Sequence, residues 1–245
     1  MILVRVVEIR RFPIKSLLGE QLAAVDVEQR GLAGDRLWAV RDADGKLGSG
    51  KNTRRFRRMP GLLDLCGRFA GPVAMVKLPD GRTFAADDPA GHAAVSQALG
   101  RQVTIEREVE VLHHDEGPVS VITTAALRRL GVLTGELVDP TRFRANLLID
   151  VSGSGFPEDD WLEHHIHVGP DVVLRPRKPL TRCVMIDMAQ GAVPGHGDLL
   201  KTVAEHHNMT FGVWATVSRP GRIAVGDTLA LTGSEDNGRS PNTVH

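Results

Sequence analysis

The chain contains no tyrosine and only two cysteines among its 245 residues. Two thiols cannot build the disulfide framework of a small secreted domain, so a reducing cytoplasm is the expected compartment. Net charge is missing too. The 30 basic residues balance the 30 acidic ones, so no global field favours nucleic acid or an anionic membrane. Any anion site must therefore be a local cluster. No apolar run is long enough to span a bilayer. The opening "MILVRVVEIRRF" alternates like a strand and lacks the apolar core and small-residue cleavage site of a signal peptide. There is no cysteine quartet for an iron–sulfur cluster, and no glycine-rich dinucleotide fingerprint follows a strand. With 42% hydrophobic residues, the chain can bury the core of one large domain or two intertwined ones.

Strands dominate the pattern. "VRVVEIRRF" (4–12), "LAAVDVEQ" (22–29) and "DRLWAVRD" (35–42) are β-branched and partly alternating, with turn signals at "DADG" (42–45) and "PDG" (79–81). Three helices stand out. "DPAGHAAVSQALG" has Asp88 as N-cap, Pro89 in its first turn and Gly100 at its end. "AALRRLG" is capped by Thr123 or Thr124 and stopped by Gly131. "DLLKTVAEHHN" (198–208) places Leu199, Leu200, Val203 and His207 on one face. Strands return in "TFGVWATVS" (210–218) and in "GRIAVGDTLAL" (221–231), which turns on Gly226-Asp227. Many short strands with a few peripheral helices predict an α+β, mainly β, barrel-like fold. The helix ending at residue 100 is the best place to divide the chain, and the polar residues from 233 to 245 read as a disordered tail.

The cysteines differ. Cys66, in "LLDLCGRF", reads as a small buried hydrophobe. Cys183, in "KPLTRC", follows Arg182, with Arg175, Arg177 and Lys178 upstream. A thiolate is stabilised by nearby cations and suits a soft or redox-active metal. Taken alone, the stretch reads better as a buried strand cysteine with its basic neighbours on a solvated face. Other stretches bear on the choice. Lys15 and Ser16 follow the Pro-containing "RRFPIKS", and Arg36 opens a strand after two glycines. In "DPTRFRANLLID", strict alternation would put Arg142, Arg144 and Asn146 on one face, opposite Phe143, Ala145 and Leu147. Two arginines and an asparagine on one face could bind a phosphate and a heterocycle.

The order of "RFPIKS", "GDRLWAV", "TRFRANLLID", "LTRC" and "FGVWATVSRPGRIAVGDTLAL" resembles that of MOSC-domain proteins. These form the molybdenum-cofactor sulfurase carboxy-terminal domain family, preceded by an amino-terminal β-barrel segment. The resemblance runs from about residue 3 to residue 231 and is greatest to the family's amidoxime-reducing component and its bacterial relatives. It implies an amino-terminal segment over 1–100 and a MOSC domain over 101–232. It also implies a molybdenum cofactor (a pterin-bound molybdenum) with Cys183 as the metal ligand and catalytic centre. At the level of the family, the domain label includes pyridoxal phosphate binding as well. By the same resemblance Lys15, Ser16, Arg36, Arg144 and Asn146 grip the pterin and its phosphate, with Arg142 and Arg182 beside them. Ser120 and Thr123 match a polar loop near the cofactor. The family's usual tyrosine before the "PIKS" motif is Phe12 here, and its usual proline between the last arginine and the asparagine is Ala145.

Three other clusters compete with this reading. "EHHIH" (163–167) and "LHHD" (112–115) offer histidines without the ligands needed to close a zinc site. The basic run "KNTRRFRR" (51–58) reads as a solvated face or the rim of a phosphate site rather than an RNA patch. Three functions remain. The first is a molybdenum oxidoreductase acting on a small N-hydroxylated or related oxygen-bearing substrate. It would be supplied by a separate electron donor, either a reductase or a small redox protein. The second is a non-catalytic carrier of a sulfurated cofactor, and the third a metal-free cysteine nucleophile.

Overall fold

In the computed structural model, which describes residues 4–110, 112–162 and 164–233, Val6 and Ile9 are both fully buried although three residues apart. Strict alternation forbids that. Their strand, Arg5–Arg11, pairs antiparallel with Leu147–Asp150, and the register shifts between Val6 and Glu8. The extra residue turns both side chains into the core. This bulge is why the opening segment alternates only in part.

The molecule is mainly β with three α-helices, and its largest sheet is a curled half-barrel. That sheet runs Leu229–Gly233, His164–Val168, Val172–Thr181, Thr210–Arg219, Val119–Thr123, Leu147–Asp150, Arg5–Arg11 and Glu20–Leu22. Val119–Thr123 and Leu147–Asp150 are parallel, and the helix between them makes the crossover. A second sheet orders Val103–Arg107, Trp38–Asp42, Leu47–Ser49 and Phe56–Arg58, with Ile14–Lys15 parallel to Trp38–Asp42. Strands from the two ends of the chain interleave. Arg5–Arg11 joins the sheet built from later strands, Val103–Arg107 joins the earlier one, and Gly221–Ala224 pairs with Ala24–Glu28.

Among the apolar cores of the described residues, two are the largest. One gathers Val6, Ile9, Val121, Leu147, Ile149 and Val213, and the other Ile14, Leu17, Trp38, Val40, Val76 and Ile105. Burying each such aliphatic side chain contributes about 1.5–3 kcal/mol before entropy is counted. Lys15 and Ser16 follow Ile14 of the second core, while Ser120 and Asn146 flank Val119, Val121 and Leu147 of the first. The strand ends of both units thus converge on one place.

The helices are α1 (Pro89–Leu99), α2 (Thr124–Thr134) and α3 (Leu199–His207). Asp88 accepts from the Ala90 N–H at 2.8 Å and Gly100 closes α1 with φ 60°, as expected. Thr123 caps α2 through the Ala126 N–H at 3.0 Å. The expected stop at Gly131 is corrected: α2 continues one turn to Gly135, whose φ of 78° takes the left-handed cap. Gly131 stays helical and its carbonyl accepts the Gly135 N–H at 2.9 Å. Asp198 precedes α3 without using its side chain. Asp187 caps instead, accepting from the Leu200 N–H at 3.1 Å. The turn expected at Gly226-Asp227 separates Gly221–Ala224 from Leu229–Gly233. Of the expected tail only Gly233 falls within the described residues. No helix among these residues is long and apolar enough to cross a membrane.

Candidate functional site

The converging strand ends enclose a cleft of about 190 Å³. Lys15, Ser16, Arg36, Ser120, Arg142, Arg144, Asn146, Arg182 and Cys183 all line it. Thr123 does not. It is buried beneath α2, where its hydroxyl also donates to Glu158 at 2.7 Å. The cleft presents six cationic side chains (Lys15, Arg36, Lys51, Arg142, Arg144 and Arg182) against two carboxylates, Asp115 and Glu116. The local excess of positive charge, absent from the chain as a whole, is here.

Three of the lining residues adopt a left-handed backbone although they are not glycine: Ser16 (φ 65°), Arg36 (φ 51°) and Arg144 (φ 52°). Each costs roughly 1 kcal/mol or more, and such strain concentrates at functional sites. Arg144 also corrects the expectation of strict alternation over residues 142–146. Pro140–Phe143 form a 3-10 turn capped by Asp139, Arg144 follows in the left-handed region, and the strand begins only at Leu147. The three residues reach one cleft through a turn rather than through a shared strand face.

That turn gives them different roles. The Arg142 guanidinium is spent inside the protein, donating to the carbonyls of Ile186 (3.2 Å), Met188 (3.4 Å) and Pro194. It therefore ties down the loop after Cys183. The Asn146 Oδ1 accepts from both the Ser120 N–H (3.0 Å) and its hydroxyl (2.8 Å), and the Asn146 amide donates to the Arg10 carbonyl at 3.2 Å. Ser120 and Asn146 form a mutually bonded floor. Arg144 is different: its Nη1 is buried with no hydrogen-bond partner. Burial, then the charge of Arg36, lowers its pKa to about 9. Arg36 donates to Asp35 and, at 3.0 Å, to the Arg144 carbonyl.

Lys15 lies only 3% exposed with its ammonium 2.7 Å from Asp115. Burial lowers its pKa to about 8, and Asp115 opposes the fall. Across the cleft, Val172–Thr181 ends just before Cys183, and the Arg182 N–H donates to the Met209 carbonyl at 2.8 Å. Arg182 turns inward and donates to the carbonyls of Phe211 (Nε, 2.8 Å) and Phe143 (2.8 Å), with its pKa lowered to about 10 by burial. Cys183 is a free, half-buried thiol outside the strand, followed by the 3-10 turn Val184–Ile186. Of the cations gathered near it in sequence, Arg177 and Lys178 are exposed, and Arg182 alone lines the cleft. Cys66 is also free and half-buried in the strand Cys66–Phe69, and burial raises its pKa.

Several lining residues were missed by sequence reasoning. Trp214 forms a wall, and Lys178 lies 5.8 Å from its ring while bonding Glu116 at 2.9 Å. Gly117 packs on that ring so closely that a Cβ there would sit 1.9 Å from Cε3. At Gly50 a Cβ would lie 2.6 Å from the Met185 Cγ, so the loop carrying Lys51 abuts the loop after Cys183. Trp214 and Gly117 carry no motif of their own, whereas Asp115 lay inside the "LHHD" run set aside as a weak zinc signal.

The remaining clusters have their own places. His113 and His114 are buried and held neutral, each with a pKa lowered to about 4, first by burial. Among the described residues no three His, Cys, Asp or Glu side chains are placed to hold a metal ion. In the basic run, Arg57 pairs with Asp42 and Asp44, Arg55 bonds the Leu112 carbonyl, and Lys51, Arg54 and Arg58 are exposed.

The fold is mainly β with interleaved sheets, and its cleft sets a free thiol among cationic side chains. Residues 108–230 match the MOSC domain and residues 3–83 the MOSC N-terminal beta barrel domain. The chain belongs to the MOSC domain family, which is associated with molybdenum cofactor binding. In three dimensions it is similar to the YUAD protein from Bacillus subtilis, with a TM-score of 0.52 at 15% identity over 93% of this chain and 94% of that one. YiiM from Geobacillus stearothermophilus matches with a TM-score of 0.38 at 16% identity, over 47% of this chain and 54% of that one. No curated protein matches the sequence.

Proposed function

We infer that the cleft holds a molybdenum cofactor and that the protein is a cytoplasmic oxidoreductase. It would reduce N-hydroxylated or related oxygen-bearing small molecules by two-electron oxygen-atom transfer. The carrying observation is a free thiol in a cleft with six cations, one of which, Arg144, has a buried N–H without a partner. The residues fit the group. A soft thiolate suits molybdenum, and an unsatisfied guanidinium suits a pterin phosphate. When bound, the cofactor supplies the two-electron redox chemistry. The chain supplies the rest: Cys183 as ligand, and Lys15, Ser16, Arg36 and Arg144 as the anion cradle. Ser120 and Asn146 hold the floor in register, Arg142 ties down the loop after the thiol, and Arg182, just before it, anchors to the Phe143 and Phe211 carbonyls.

The sequence carries two cysteines, too few to hold an iron–sulfur cluster, which supports a separate reductase or small redox protein as the electron source. Lys51 at the cleft and exposed Arg54 and Arg58 of the same run suit an acidic donor, and such encounters are small and steered by charge. The purified protein should reduce benzamidoxime with reduced viologen but not with NADH alone. With an acidic redox partner, the rate should fall as salt rises. Steady NADH-driven turnover by the isolated chain contradicts the need for a donor. Metal retention without turnover of any oxygen-bearing acceptor gives a carrier role instead.

A further inference from the structure

Two like charges stand close together at one end of the cleft. The guanidinium carbons of Arg36 and Arg144 both lie over the Phe12 ring, 4.8 and 4.4 Å from its centroid. Phe12 is buried at 4% exposure. Its N–H donates to the Asp35 Oδ1 at 2.7 Å, and its carbonyl accepts from the Arg36 N–H at 2.7 Å. Asp35, fully buried, is occupied by Phe12 and Arg36. Among the described residues no carboxylate is bonded to Arg144, whose Nη1 is buried without a partner.

The chemistry of the ring matters here. A carboxylate between the two cations would hold them, but it would consume their N–H groups and cancel the charge an anion needs. An aliphatic side chain would fill the space without attracting either. An aromatic face attracts both and leaves the N–H edges free to fork onto oxygen atoms.

We propose that Phe12 is a positioning residue, its ring holding Arg36 and Arg144 apart and aligned to receive a phosphate-like dianion. The proposal rests on the reading of the cleft as a cofactor site and deepens it. Its probe is inorganic phosphate, so the two can fail separately.

The test is calorimetric titration of the metal-free full chain with inorganic phosphate. Phe12→Leu should weaken binding about 10-fold, equivalent to about 1.4 kcal/mol, and Phe12→Tyr should restore it to near the wild-type value. Because Phe12→Leu could also disturb packing, mono-, di- and trifluorophenylalanine introduced at position 12 provide the decisive series. Fluorine drains the ring face while nearly preserving its shape. Affinity should fall stepwise with fluorine number while the unfolding midpoint stays constant. A flat series overturns the proposal, and so does a wild type that binds no phosphate. A stepwise series in a protein that never acquires molybdenum would sink the cofactor reading and leave this one standing.

Discussion

Replacing Arg144 by methionine should make the metal-free protein more stable and its anion site worse. The arginine is half-buried, with Nη1 itself buried and unpartnered and with Arg36 beside it, and burial lowers its pKa to about 9. A cationic group whose folded-state pKa is lowered carries its full penalty below that value, hence at neutral pH. At about 1.4 kcal/mol per unit, the penalty is on the order of 5 kcal/mol. The contact with Phe12 returns up to about 2 kcal/mol. Methionine keeps much of the side-chain volume and removes both terms, so a net gain of about 1–3 kcal/mol is expected. Arg144→Lys should fall between the two in phosphate affinity, because an ammonium lacks the planar fork. Urea unfolding at pH 7 gives the stability and phosphate titration gives the affinity. A methionine variant that loses stability, or that binds phosphate like the wild type, refutes the reasoning.

Three further outcomes follow from the same geometry. Glu158 is fully buried, and burial raises its pKa to about 7. A raised carboxyl costs stability as pH climbs from about 4.5 through 7, so Glu158→Gln should be more stable than wild type at pH 8, by up to about 3 kcal/mol, and nearly equal at pH 5. A difference independent of pH in urea unfolding would contradict this. His113 and His114, neutral in the fold with pKa values of about 4, should cost about 2 kcal/mol each as pH falls from 7 to 5. The double variant His113→Gln/His114→Gln should lose less stability than wild type over that interval, and parallel losses would refute the assignment. Gly117→Ala should displace Trp214, destabilising the fold by about 1–3 kcal/mol and red-shifting tryptophan emission as the indole meets water. An unchanged spectrum and midpoint would argue against so tight a contact.

What could be read from sequence divides along physical lines. Helix ends are local chemistry, so Asp88, Gly100 and Thr123 were legible. Gly131 misled because a second glycine four residues on offered an equally good stop and a longer helix. The cleft residues with motifs around them were legible individually. The backbone that delivers them was not: alternation cannot reveal that Arg144 sits at φ 52° between a 3-10 turn and a strand. Nor does it reveal that Asn146 and Ser120 spend their side chains on each other. Thr123 lies just three residues beyond Ser120, yet its side chain faces α2 and Glu158 rather than the cleft. Trp214 and Gly117 are far apart in the chain and become neighbours only through pairing of Val119–Thr123 with Thr210–Arg219. Non-local contacts of that kind leave no local signal.

Everything proposed for this cleft turns on Cys183 as its metal ligand. Elemental analysis of protein made in a cofactor-competent host, comparing wild type, Cys183→Ser and Cys66→Ser, tests it most directly. Stoichiometric molybdenum is expected in the wild type and in Cys66→Ser, and a folded Cys183→Ser protein in which metal and turnover are lost. Metal retained with activity by Cys183→Ser, together with its loss from Cys66→Ser, would contradict it.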